Sequence, residues 1–265
     1  MRPVKSLDEI LGHPLLSERL FFPRRHAVEA AHVVRTGDGA ELSCVLRTSH
    51  PGAPCLVYFH GNGETVTDGL VSLLPALGAI GLNVLLAEYR GYAASTGTPS
   101  LPALLDDVEP VVRSALDALD TGPEQLVLFG RSLGSLAAIH GVRCFPEAAG
   151  LILESAIADP LERILLRVRP SELGTDIDGL RAAVAARLDV RGALERFKGA
   201  VLVLHARGDT LVSVEHGRRL HQWAGPEARL EIFERGDHNT LLWENEDAYL
   251  ELVRAFIAGL AGARG

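Results

Sequence analysis

Gln125-Leu-Val-Leu-Phe-Gly-Arg-Ser-Leu-Gly-Ser-Leu-Ala-Ala-Ile139 divides at Gly130 into two unlike halves. Before the glycine stands an apolar run of strand length, and after it the segment Ser132–Cys144 is long enough for a helix. Ser132 lies at the join, with Gly130 and Gly134 two residues to either side. A tight strand-to-helix turn leaves no room for neighbouring side chains, so this G-x-S-x-G spacing raises one hydroxyl at the apex. The helix that opens there turns free N–H groups and the positive end of its dipole towards that hydroxyl.

The same rhythm extends outward. Cys55–Phe59, Leu82–Ala87, Leu151–Leu153 and Ala200–Leu204 are continuous apolar runs, as expected of strands buried on both faces. Helix-length segments separate them: Thr65–Ile80, Leu101–Leu119, Val214–Trp223 and Glu246–Leu260. Alternation of this kind predicts an α/β protein with a mostly parallel, doubly wound sheet. Ala27–Arg35 and Glu41–Arg47 flank Gly37-Asp-Gly39, a hairpin signal that adds an antiparallel edge. Between Glu154 and Ala200 there is no strand candidate; Leu161, Ile164, Leu165 and Val168 mark one apolar helix face, with a second helical stretch near Leu180–Leu188. The expected organisation is an N-terminal arm over 1–26, a core over 27–155 and 199–265, and a small helical cap over 156–198. Such a cap would cover the carboxyl edge of the sheet, where open α/β sheets bind ligands.

Composition excludes several classes. The chain has 265 residues, 47% of them hydrophobic, enough for one large core and too apolar for disorder. Lys and Arg number 26 against 34 Asp and Glu, so the net charge of −8 leaves no footprint for nucleic acid. Three cysteines, Cys44, Cys55 and Cys144, are too few and scattered for a disulfide framework or a Cys-rich zinc site. Met1–Ile10 lacks the apolar core of a secretory signal, and the uncharged stretch Gly69–Ala87 holds Pro75, Gly78, Gly81 and Asn83, which argues against a membrane span. The expected location is the cytoplasm.

A serine hydroxyl needs a base to take its proton. In the strand-turn-helix setting the chain order is Ser, then an acid, then His. Asp209 closes Val201-Leu-Val-Leu-His-Ala-Arg-Gly-Asp209 just past a strand, and His238 lies after the short strand Leu230–Phe233. His238 is therefore the expected base and Asp209 the group that orients it. The N–H of Leu133 and one from His60-Gly-Asn-Gly-Glu64 are the expected donors to an oxyanion, Asn62 first and Gly63 as the alternative. Gly61-Asn-Gly63 also approaches a dinucleotide fingerprint, but Val66 replaces the third glycine and no acid lies about 20 residues on. It lacks the Lys-Ser/Thr of a phosphate loop as well.

With His60-Gly-Asn-Gly63, Glu88-Tyr-Arg-Gly-Tyr92, Gly130-Arg-Ser-Leu-Gly134, Asp209 and His238 in place, the chain over roughly 27–262 resembles the α/β-hydrolase superfamily, within it the serine hydrolases similar to monoacylglycerol lipases and serine aminopeptidases. That resemblance implies a Ser132–Asp209–His238 triad, no cofactor and no metal. It implies no one substrate, because the fold hosts several chemistries. The expected activity is hydrolysis of a carboxylic ester or related acyl bond of a small substrate through an acyl-enzyme. The alternatives are a Ser-triad thioesterase, amidase or perhydrolase, and an inert binding module. The short, Arg-containing cap is unlike a large apolar lipase lid, which turns the expectation away from long-chain lipids. Tyr89–Tyr92 reads as a pocket buttress, Glu64 as a surface or loop-capping residue, and His205, His216 and His221 as structural or solvated. His140 and Cys144, four residues apart, lack a third metal ligand and read as core. Arg131, Arg163, Arg167 and Arg169 read first as solvated, with an anionic substrate group as the other reading.

Overall fold

A computed structural model describes residues 5–29, 31–48, 50–71 and 73–262. Met1–Val4 of the expected arm, Ala30 of the first expected strand, Ser72 of an expected helix and the last three positions of the core lie outside the described residues. The chain opens with two short helices, α1 (Leu7–Leu11) and α2 (Pro14–Leu20), then the hairpin β1 (His32–Arg35) and β2 (Glu41–Arg47). There follow β3 (Cys55–Phe59), α3 (Val66–Val71), α4 (Leu73–Ala79), β4 (Asn83–Ala87), α5 (Leu101–Asp106), α6 (Val108–Leu119), β5 (Leu126–Arg131) and α7 (Gly134–Cys144). After β6 (Gly150–Glu154) come α8 (Pro160–Leu165), α9 (Ile177–Arg187) and α10 (Val190–Arg196). The chain then runs through β7 (Ala200–Ala206), α11 (Val214–Ala224), β8 (Arg229–Phe233), α12 (Leu241–Glu244) and α13 (Glu246–Gly262).

Eight strands form one sheet in the order β1-β2-β4-β3-β5-β6-β7-β8. The β1–β2 and β2–β4 pairings are antiparallel and the remainder parallel. The continuous apolar runs have a simple cause. Successive strand residues point to opposite faces, and both faces are covered. Val57, Phe59, Leu128, Leu151 and Val203 enter one core, against α5, α6 and α7. Their neighbours Leu56, Tyr58, Val127, Ile152 and Leu202 enter the other, against α3, α4 and α13.

Thr65–Ile80 is helical over α3 and α4, with Ser72 between them outside the described residues. Leu101–Leu119 is divided at Asp107 into α5 and α6, and Pro110 stands at the third position of the second piece. A proline lacks the N–H that a helix interior requires but is tolerated in a first turn, so it marks a new start. Asp159, Asp176 and Asp189 begin α8, α9 and α10 by accepting hydrogen bonds from the N–H groups of Glu162, Gly179 and Gly192. Of these helices, α9 packs on α1 of the arm and α10 on α7 and α11. No helix among the described residues is long and apolar enough to cross a membrane.

Candidate active site

The site forms where β5, β7 and β8 end. Ser132 has φ of 51°, the left-handed region that L-residues avoid. Its N–H donates to the Glu154 carbonyl (2.9 Å), and its carbonyl accepts from Ser135 Oγ (2.6 Å). The flanking glycines are required by backbone contact. A Cβ at Gly130 would lie 2.6 Å from the Gly134 carbonyl oxygen and from Ser135 Cα. One at Gly134 would collide with the backbone of Phe59 and His60. The turn therefore packs directly on the loop that follows β3.

The structure brings Ser132, His238 and Asp209 together. Ser132 Oγ lies 2.9 Å from His238 Nε2, and His238 Nδ1 lies 2.7 Å from Asp209 Oδ2. The carboxylate can only accept, so Nδ1 carries the proton and Nε2 is left to accept from the serine. The other Asp209 oxygen accepts from the N–H groups of Leu211 (2.9 Å) and Val212 (2.8 Å). Burial works to raise the Asp209 pKa, but His205, His238 and the Val212 N–H outweigh it and hold the carboxyl well below its usual range. His205 lies 3.4 Å from Asp209, and its Nε2 donates to the Val212 carbonyl at 2.8 Å, so it braces the acid loop.

The loop after β3 is held from below. His60 Nε2 donates to Glu88 (2.7 Å) and Nδ1 to the Gly61 carbonyl (2.8 Å). Two acceptors demand two protons, so His60 is an imidazolium paired with Glu88. Burial opposes that charge, but Glu88 outweighs it and raises the His60 pKa. The Tyr89 hydroxyl donates to the His60 carbonyl at 2.7 Å. The Asn62 side chain is anchored at both ends: Oδ1 accepts from Phe22 N–H (3.0 Å) and the Tyr92 hydroxyl (2.8 Å), and Nδ2 donates to the Leu20 carbonyl. Its backbone N–H remains as a donor for a ligand. Among the described residues, neither that N–H nor the N–H of Leu133 donates to a protein group. The Gly63 N–H faces the Tyr92 hydroxyl.

Arg131 is neither solvated nor open to an anion. Nε donates to Glu154 (3.0 Å), Nη1 to Glu64, and Nη2 to the His238 carbonyl. Burial opposes its charge, but Glu64 and Glu154 push its pKa above the usual range. The guanidinium thus ties the loops carrying Asn62 and His238 to the end of β6. Nothing in the local sequence announces this, because the partners are 67, 23 and 107 residues away.

A cavity of about 300 Å³ opens over Ser132. It is lined by Leu20 and Phe22 of the arm, by Ile157, Leu211 and Val212, and by Arg163 and Arg167. Sequence reasoning missed the arm's share in this pocket; its one signal was the apolar cluster Leu20-Phe-Phe22. Among the described residues no cluster of His, Cys, Asp and Glu is arranged to hold a metal ion.

Sheet order, helical layers and the positive-φ serine turn together define the α/β-hydrolase fold, and the chain has that fold. No family model matches it. It is similar to the uncharacterized protein YfhR of Escherichia coli O157:H7, at 27% identity over 212 residues, 76% of this chain and 69% of that protein. It is similar as well to alpha/beta hydrolase domain-containing protein 17C of Xenopus tropicalis, 24% identical over 226 residues, 84% of this chain and 68% of that one. Among solved structures, the esterase Pf2001 of Pyrococcus furiosus superposes with a TM-score of 0.71 at 16% identity, covering 91% of this chain and 98% of its own.

Proposed function

We propose that the protein is a serine hydrolase that cleaves a carboxylic ester or related acyl bond of a small substrate through an acyl-enzyme on Ser132. The observation that carries this reading is the unbroken relay from Ser132 Oγ to His238 Nε2 at 2.9 Å and from His238 Nδ1 to Asp209 at 2.7 Å. The esterase likeness reported above agrees with it. His238 removes the Ser132 proton as Oγ attacks the acyl carbon, and the carbonyl oxygen becomes an oxyanion. We assign the backbone N–H groups of Leu133 and Asn62 to that oxyanion, since both residues line the cavity with Ser132 and both N–H groups lack a protein acceptor among the described residues. Collapse of the tetrahedral intermediate breaks the bond to the leaving group, which takes the proton from His238. Water then gives its proton to His238 as it attacks the acyl carbon, and collapse of this second tetrahedral intermediate breaks the bond to Oγ, which takes the proton back from His238 as the acid leaves. Asp209, held ionised, keeps the imidazole in the required tautomer and stabilises its cation. The helical segment 156–198 serves as the cap, placing Arg163 and Arg167 at the pocket. A cytoplasmic setting fits the free thiols of Cys44, Cys55 and Cys144.

A fluorophosphonate tests the reading directly, because it requires an activated hydroxyl beside an oxyanion hole. Mass spectrometry is expected to find the adduct on Ser132, absent from Ser132→Ala and strongly slowed in His238→Ala. An adduct on Ser155 or Ser95 instead, or none on the folded protein, would refute it. Matched p-nitrophenyl esters, thioesters and amides then rank the acyl bonds.

A further inference from the structure

We propose that the pocket selects substrates carrying an anionic group, a carboxylate or a phosphate, bound by Arg163 and Arg167. The position of the scissile bond rests on the hydrolase reading above; the anion site does not. In a chain of net charge −8, the cavity over Ser132 is lined by Arg131, Arg163 and Arg167 and by no Asp or Glu. Arg131 is already neutralised by Glu64 and Glu154. Arg163 and Arg167 are not: neither forms an ion pair with a carboxylate among the described residues, although each stands near acids that are committed elsewhere. Glu162 lies against Arg219 and His216, Asp159 against Arg219, and Glu172 against Arg19 and Arg169.

Both guanidinium groups are nevertheless held in place. Arg163 Nη1 donates to the Leu211 carbonyl at 2.7 Å, which ties it to the loop that carries Asp209. The Arg167 guanidinium sits 5.5 Å from the centre of the Phe22 ring. Burial and the neighbouring Arg167 lower the Arg163 pKa by more than the nearby carboxylates Glu162 and Asp209 raise it, so the charge is under-compensated where it stands. A guanidinium offers several N–H donors in a planar fork that matches a carboxylate or phosphate. Two such groups in the lining of one partly apolar cavity attract an anion and orient it. Ile157 and Val212 line the same cavity as Ser132 and the two arginines, so the matching ligand is a short acyl chain or alcohol that ends in an anion.

Calorimetric titration of the Ser132→Ala protein, whose pocket is intact but cannot turn over, compares monomethyl adipate with dimethyl adipate and with the phosphonate analogue of the monoester. The anionic esters are expected to bind about tenfold or more tightly than the diester. That preference is expected to fall in Arg167→Gln, to vanish in the Arg163→Gln/Arg167→Gln pair, and to shrink at about 1 M salt, where charges are screened within ~3 Å. Whichever anion binds more tightly names the head group, and either supports the site. Arg167→Gln is the cleaner variant, because that side chain makes no hydrogen bond among the described residues. Equal binding of monoester and diester, or a preference that survives in the double variant, overturns the proposal. Hydrolysis of neutral p-nitrophenyl butyrate with no anion preference refutes this proposal alone and leaves the hydrolase reading standing. Anion binding with no turnover of any ester refutes the hydrolase reading alone.

Discussion

Ser132 holds a conformation that costs an L-residue about 1–2 kcal/mol and costs glycine almost nothing. Ser132→Ala and Ser132→Gly both remove the hydroxyl, but only glycine relieves the backbone. The glycine variant is therefore expected to be more stable than the alanine variant by about 1 kcal/mol in urea unfolding. In the proposed mechanism, Asp209→Asn leaves a neutral partner that favours the wrong imidazole tautomer, and kcat is expected to fall by up to ~10⁴. The Asp209 carboxyl titrates far below its usual range, so it stays ionised wherever the protein is assayed and contributes no acid limb to the rate profile. His140 behaves differently. Burial, with help from Arg143 and Arg187, lowers its pKa to about 4, and its Nδ1 has no hydrogen-bond partner among the described residues. The unfolded chain takes up that proton near pH 6.5 and the folded chain only near 4, so this contribution is lost as pH falls through that window. Urea unfolding of His140→Gln between pH 7 and 4 is expected to lack a fall on the order of 2–3 kcal/mol that the wild type shows. Ser132, Asp209 and His238 were legible in the sequence because each sits at a fixed offset from a strand. Arg131 was not, since its three carbonyl and carboxylate partners meet only in the folded chain.

Among the elements, the sheet was the most legible part. The inner parallel strands β3 to β7 appear as apolar runs because both of their faces are covered, whereas the edge strand β8, Arg229–Phe233, carries Arg229 and Glu231. The helix break before Pro110 follows a rule that a purely periodic reading overlooks. The loop after β3 depends on contacts that no local pattern reveals. Its base is the buried pair His60–Glu88, and removing one partner of such a pair costs about 3–5 kcal/mol. Glu88→Gln is expected to show a loss of that order. His60 has a raised pKa in the fold, so the pair stabilises fully below about pH 6.5 and less as pH rises through the folded value. The gap between wild type and Glu88→Gln should accordingly narrow on going from pH 6 to 9, and a constant gap would show that His60 carries no charge.

At the scale of the molecule, the cavity of about 300 Å³ lies at the small end of ligand pockets. Esters of short and medium acids are expected to turn over faster than long ones. A rate that climbed steadily from butyrate to palmitate p-nitrophenyl esters would contradict this. The arm is the part of the architecture least legible in the sequence, because it docks on residues far along the chain. Lys5 Nζ donates to the Leu173 carbonyl 168 residues on, and Arg19 to Glu172, 153 residues on. Phe22 N–H reaches Asn62 and the Tyr92 hydroxyl across 40 and 70 residues.

Translation runs in one direction, and the arm's contacts run against it. Leu20 and Phe22 leave the ribosome well before their neighbours in the pocket, among them Arg163, Leu211 and His238. Loop closure over such spans is slow. The arm must therefore wait, its apolar residues uncovered, until the later strands and loops of the pocket exist. The pocket is then among the last features to form, and a nascent chain stalled before β7 has the serine turn but no finished wall around it.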